Sequence, residues 1–391
     1  MSQNSRVRLR GSVFRFTFSA AAIGLLTLAR IASADDVTIP QLQAAAEKGK
    51  VSQEIELAGD YFIGRGVPRD LKLAAYWYEK AAESGDQQAQ DEIGYFYQAG
   101  IGVPPDPVRA FHWYQLSAAS GYVKAKVNLG VFYLWGIGIP EDRPLAVQMF
   151  REAVKGGCAV ATTYLGDLYY FGVGLNQDKT AAERWFTTGV KMHDPLAAYD
   201  LGLLFFDIGD HPHDFPKAAK LFRQAVTGGY VPAMYSLGVL LIQHPGLAKS
   251  PQEARNLLEA ASDAGSWKAS VVLGVLAREG DGVPLDPAAA YYHFQIAILQ
   301  GGEPAKHLLG NDVIDLSSKL KAEQTRELTS NANTWFRGRQ AALVFVLKDG
   351  KNWKQFHACG RTAQDEGVHA GQLLPPPAVA TESVSLIQSS Q

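Results

Sequence analysis

Leu129-Gly-Val-Phe-Tyr-Leu-Trp-Gly-Ile-Gly-Ile-Pro-Glu-Asp142 is an apolar run that enters a Gly-x-Gly turn and ends on an aspartate. Alone it is an ordinary glycine-rich turn. Its meaning lies in its recurrence: Gly-Arg-Gly-Val-Pro-Arg-Asp at 64–70, Gly-Ile-Gly-Val-Pro-Pro-Asp at 100–106, Gly-Val-Gly-Leu-Asn-Gln-Asp at 172–178 and Gly-Asp-Gly-Val-Pro-Leu-Asp at 280–286. The spacing is 36 residues or a multiple of it, the signature of a repeat array.

Working outward, the other columns follow the same phase. Gly94, Gly130, Gly166, Gly202, Gly238, Gly274 and Gly310 share one position, with Ala58 at the first copy. Alanine stands five residues earlier in every copy after the first, from Ala89 to Ala305. A bulky pair follows the turn: Trp77-Tyr78, Trp113-Tyr114, Met149-Phe150, Trp185-Phe186, Leu221-Phe222, Leu257-Leu258 and His293-Phe294. Each copy closes on a glycine, as at Gly85, Gly121 and Gly157, except that His193 takes the fourth place. A mid-helix glycine costs about 1 kcal/mol relative to alanine, so one per copy is expected where another backbone comes close. The spacing predicts a first helix of about 12 residues up to the Gly-x-Gly turn, then a second helix capped by the aspartate and stopped by glycine. Two such helices cannot bury their faces alone; stacked neighbours do it.

The composite pattern Ala-x4-Gly-x2-Tyr-x2-Gly-x-Gly-Val-x3-Asp-x3-Ala-x2-Trp-Tyr-x3-Ala-Ala-x2-Gly resembles the Sel1-like repeat, a relative of the tetratricopeptide repeat. The resemblance covers 50–310. It implies an all-α fold: an α/α solenoid, a right-handed superhelix of seven 36-residue helix-turn-helix repeats with capping helices, first helices lining the concave face. It also implies scaffold or adaptor work between proteins. Some secreted members resemble penicillin-binding or β-lactamase-like proteins and carry paired cysteines in each repeat; this chain lacks those pairs. Copies five and six depart from the rule, with Ile208-Gly-Asp-His-Pro-His-Asp-Phe-Pro216 and Gln243-His-Pro-Gly-Leu-Ala-Lys-Ser-Pro251 in place of the loop. A bend or change of pitch is expected there.

The ends read differently. Residues 1–34 hold five arginines, no acids and an apolar run from Phe16 to Ala29 before Ala32-Ser33-Ala34, the form of a cleavable signal peptide cut after Ala34. The expected location is periplasmic or secreted, with an uncleaved anchor as the alternative. Residues 35–49 form an N-terminal half-repeat cap, 311–341 C-terminal capping helices and 370–391 a disordered tail. Between them, 342–369 is either a small hairpin turning at Asp349-Gly350 or one more apolar capping segment. Without its first 34 residues the chain has 32 basic against 39 acidic residues. That mild acidity gives no electrostatic footprint for nucleic acid or an anionic membrane. Cys158 and Cys359 are the only cysteines. They are expected as two separate thiols, because a rigid array holds them apart unless the tail folds back.

Little points to catalysis. The Gly-x-Gly turn follows a helix and lacks the lysine of a phosphate loop, and Gly-x-Ser-x-Gly and His-Glu-x-x-His are both missing. His193, His211, His213, Asp214 and His244 fall in neighbouring copies and are weighed as metal ligands, but solvated loop histidines are the simpler account. No cofactor and no metal are expected. The first-helix face opposite the glycine column varies between copies. Its aromatic, aliphatic and acidic residues suit a peptide groove: Tyr95, Val131, Trp135, Asp167, Tyr170, Tyr199, Leu203 and Tyr235. The expectation is a non-catalytic scaffold binding a protein or peptide on its concave face. The alternatives are an envelope enzyme acting on peptidoglycan or β-lactams, and a structural oligomeric spacer.

Overall fold

The computed structural model describes residues 38–207, 213–250, 252–280 and 284–348, with side chains to 339. The signal assignment at 1–34, most of 342–369, the tail and Cys359 lie outside the described residues. Within them all regular structure is helical. A short α1 (Ile39–Ala46) precedes seven hairpins: α2 (Val51–Ile63) with α3 (Leu71–Glu83), α4 (Gln87–Ala99) with α5 (Pro107–Ala119), α6 (Val123–Trp135) with α7 (Arg143–Lys155), α8 (Val160–Phe171) with α9 (Lys179–Lys191), α10 (Pro195–Asp207) with α11 (Phe215–Thr227), α12 (Val231–Gln243) with α13 (Glu253–Asp263), and α14 (Trp267–Glu279) with the start of α15 (Pro287–Lys319). The backbone of α15 breaks at Gly302, where φ is 59°, and its second part pairs with α16 (Ala322–Lys348) as an eighth, capping hairpin. Residues 343–348 continue that helix and do not begin a hairpin. No described helix is long and apolar enough to cross a membrane.

Five of the seven hairpins are locked by one glycine and one ring. A Cβ on Gly94 would meet the Tyr114 ring at 2.8 Å, on Gly130 the Phe150 ring at 2.6 Å, and on Gly166 the Phe186 ring at 2.3 Å. Gly202 does the same with Phe222, Gly238 with the Leu258 side chain and Gly274 with Phe294. The glycine therefore answers a side chain from the second helix of its own hairpin, twenty residues on, and not a neighbouring backbone. These rings are among the most buried side chains of the molecule, and each contributes about 1.5–3 kcal/mol by leaving water.

The turn does two jobs. Its first glycine ends the first helix in the left-handed conformation, as at Gly136 with φ 61°. Its second, also left-handed, lies against the preceding hairpin: a Cβ on Gly102 would sit 2.0 Å from the Leu71 carbonyl oxygen. The aspartate then caps the second helix. Asp70, Asp106, Asp142, Asp178, Asp214 and Asp286 all accept backbone N–H groups of the first turn. Their own amides donate back to the first helix, Asp142 to the Tyr133 carbonyl at 2.8 Å for example. The fifth hairpin keeps its cap despite its altered loop. The sixth loses it: a 3-10 turn over Pro245–Leu247 replaces the loop, and Gln252 makes no side-chain cap. His193 at the missing glycine keeps φ at 62°, the only positive φ outside glycine among the described residues.

Besides chain neighbours, the helices in most contact are first helices of successive hairpins, α8 with α10 and α12 with α14. The first helices therefore form one packed row, the inner row that the repeat resemblance places on the concave side. Overlapping core clusters join one hairpin to the next from Leu42 to Leu316. Cys158 corrects the reading of the thiols. It is fully buried beside Val127 and Ala161 in one of these clusters, and it is disulfide-bonded.

Candidate functional site

On the inner row, first helices of successive hairpins touch one another, and this sorts the eight residues chosen from the sequence. Val131 and Tyr235 are buried and pack into the core. Tyr95, Tyr170, Tyr199 and Leu203 are half-buried at its edge. Trp135, at the end of α6, is 37% exposed. Asp167, on α8, is half-buried.

The centre of the row lies between the fourth, fifth and sixth hairpins. Asp194 precedes α10, and Thr163 of α8 donates its hydroxyl to Asp194 Oδ2 at 2.8 Å. The Leu196 amide donates to the other oxygen at 3.1 Å. Tyr199 packs against Tyr230, ring centroids 4.9 Å apart and planes tilted by 54°, and its hydroxyl lies 3.3 Å from Ser236 Oγ. The same step from one hairpin to the next is used earlier, where Asn128 donates to Asp91 at 2.7 Å. Asp200, one residue beyond Tyr199, and Asp167 complete a group of three carboxylates.

Burial dominates their electrostatics. It pushes the Asp167 carboxyl up to about 8. It raises Asp200 well above the usual carboxylate range, and the charges that act on it, Asp167 and Asp194, push further the same way. Burial raises Asp194 too, opposed by the bonds from Thr163 and the α10 amides. The Tyr199 phenol rises to about 12 from burial, and Tyr230 rises because of burial and then the charge of Asp200. Among the described residues no lysine or arginine acts on Asp167 or Asp200. The cluster therefore combines tyrosine rings with carboxyls that ionise readily only when a cation approaches.

Asp194, Asp200 and Tyr230 escaped the sequence reading. A signal existed: the column holding Asp200 also carries Glu92, Asn128, Tyr164 and Ser236, polar groups on a flank between core columns.

The histidines do not converge. His213 Nδ1 pairs with the Phe206 carbonyl at 2.9 Å, the Phe215 ring stacks on both His213 and His244, and Asp214 is used as a cap. His211 lies outside the described residues. Among those described, no group of three His, Cys, Asp or Glu side chains is placed to hold a metal ion. A recess of about 640 Å³ between α9, the start of α10, α11 and the loop before α13 is lined by Asp194 together with Lys220, Arg223 and Lys249. Arg223 is already paired there with Glu253 at 3.0 Å.

Comparison with known proteins agrees with this architecture. The Sel1 repeat model matches residues 54–86, 87–122, 123–158, 159–192, 195–230, 231–266 and 268–302. Among solved structures, a protective antigen of uropathogenic Escherichia coli strains displaying an SLR fold is similar, with 27% identity and a TM-score of 0.62 over 78% of this chain. The chain covers 65% of that protein's length. A Sel1 repeat protein from Oxalobacter formigenes is 26% identical with a TM-score of 0.51, over 57% of this chain and 99% of its own. No curated protein matches the sequence. With seven copies in phase and each copy folded as its own helical hairpin, the chain belongs to the Sel1 repeat family, whose members generally mediate protein–protein interactions.

Proposed function

We propose that this protein is a non-catalytic adaptor that holds a protein or peptide partner along its concave face, in the periplasm or outside the cell. The observation that carries the reading is the inner row itself. Tyr95, Trp135, Tyr170, Tyr199 and Leu203 offer half-buried or exposed apolar faces along the row of first helices that also carries Asp167 and Asp200, whose carboxyls lack a nearby cation among the described residues. Aromatic anchors beside a desolvated charge are the usual composition of a binding hot spot. Such a row fits a partner segment that presents a lysine or arginine between apolar side chains. The disulfide at Cys158 supports an oxidising compartment, as does the Arg-bearing apolar start of the sequence.

The test is crosslinking and capture from the native host with the full chain. A specific partner held by the wild type is expected to be lost when Trp135→Ala and Tyr170→Ala are combined. Undiminished capture by that double variant removes the concave row from the binding surface.

A further inference from the structure

Two departures from the repeat rule border one recess. His193 stands where the other copies close on glycine, and the sixth copy replaces its Gly-x-Gly turn with residues 243–251. The 3-10 turn over Pro245–Leu247 brings the Leu247 carbonyl to Arg223, whose Nη2 donates to it at 2.8 Å. His193 and Lys249 thereby flank the recess between α9 and α11, whose lining includes the buried Pro195 and Ala198 of α10. Its volume of about 640 Å³ is that of a ligand-binding cleft.

Much of its positive charge is unpaired. Arg223 uses Nε and Nη2 on Glu253 and the Leu247 carbonyl, which leaves Nη1 to donate. Lys220 and Lys249 are exposed, and neither ammonium has an ion-pair or hydrogen-bond partner among the described residues. The nearby acids are both engaged: Glu253 holds Arg223 and the Lys249 amide, and Asp194 accepts from Thr163 and the Leu196 amide. No other copy of the repeat carries a cation at both the Lys220 and the Arg223 columns.

The rest of the lining continues along α11. Lys220, Gln224 and Thr227 lie on one exposed face of that helix, over about 10 Å, the length of about three extended residues. The Gln224 side-chain amide has no partner among the described residues. Thr227 donates its hydroxyl to the Arg223 carbonyl at 2.8 Å and keeps an acceptor. Val190, Pro195 and Ala198 supply apolar surface.

We propose that this recess is a second docking site, for an acidic peptide segment of a partner protein. A carboxylate enters between Lys220, Lys249 and the free edge of Arg223. The peptide groups run along Gln224 and Thr227, and an aliphatic side chain about two or three residues away rests on Val190, Pro195 and Ala198. The site is separate from the inner row, so its test stands whether or not that row binds.

The full-length protein is applied to immobilised tetrapeptide pools that pair one Asp or Glu with one Leu, Ile or Val. Matched pools carry Asn or Gln in place of the acid. Retention on the acidic pools is expected to be higher by about tenfold or more, the factor of one charge-assisted hydrogen bond, and to fall as salt rises. Lys220→Glu with Lys249→Glu is expected to abolish the preference, while Trp135→Ala with Tyr170→Ala leaves it intact. Equal retention on acidic and amide pools, or an undiminished preference in the lysine variant, overturns the proposal; so does its loss in the inner-row variant. If the charge reversal disturbs folding, Gln224→Trp decides, because it fills the recess from an exposed position and removes no charge: weaker retention supports the site and unchanged retention overturns it. Acidic pools without the aliphatic residue are expected to bind more weakly, and equal retention there leaves only an anion site, not a peptide site. Light scattering gives the last outcome: a dimer that the lysine variant dissolves assigns the recess to a second copy of the chain and overturns the proposal.

Discussion

Gly166 and Phe186 show what a single position contributes. A Cβ at Gly166 would lie 2.3 Å from the ring. Overpacking of this kind costs about 1–3 kcal/mol, more than the helix propensity that alanine restores. Gly166→Ala is therefore expected to lower stability by about 1–2 kcal/mol in denaturant unfolding. Gly310 occupies the same column of the capping hairpin with nothing near, and Gly310→Ala is expected to raise stability by up to about 1 kcal/mol. Both columns, glycine and ring, were visible in the sequence. What it lacked was the crossing geometry that seats one on the other, so the cause was read as a backbone. The carboxylates give a second test. Asp167 is protonated in the folded chain up to about pH 8, whereas in the unfolded chain it ionises near pH 4. The unfolded state binds fewer protons between those values, so this group's contribution to stability falls as pH rises from about 4 to about 8. Asp167→Asn is expected to match wild type at pH 4 and to exceed its melting temperature at pH 8.5 by at least about 2 °C. An equal loss of melting temperature with pH in both proteins would rule out a buried, protonated Asp167.

At the scale of the element, the hairpin is set by its turn. Period, cap and stop were all legible, because Gly-x-Gly and Asp recur as residue types with fixed conformational roles. The broken turns were legible only as departures. Asp214 keeps its cap in the fifth hairpin, while the sixth substitutes a 3-10 turn and an uncapped α13. Removing a working cap by Asp178→Ala is expected to cost about 1 kcal/mol. The same change gives the fourth hairpin the uncapped start that α13 has naturally. Amide exchange in the first turn of α9 checks this: faster exchange there, with α7 unchanged, is the expected result. The binding row was legible in part. Helical phase selects the face opposite the glycine, but it cannot say that neighbouring first helices cover one flank of that face. Hence Val131 and Tyr235 are buried, while Asp200, one residue outside the chosen columns, joins the centre.

At the scale of the whole molecule, the array turns seven weak hairpins into one continuous core and leaves one variable inner row. Long-range events are what a one-dimensional pattern conceals. The bond at Cys158 is one such event, and neither the 36-residue period nor the charge balance announces it. We propose the inner row as the binding surface. Its most direct measurement is the affinity of the captured partner, by titration calorimetry, for three full-length proteins: wild type, Trp135→Ala with Tyr170→Ala on the inner row, and Tyr76→Ala with Val108→Ala on the exposed second helices. The account predicts at least a tenfold loss for the inner pair, about 1.4 kcal/mol, and no change for the outer pair. Equal affinity for wild type and the inner pair, or a loss confined to the outer pair, would contradict it.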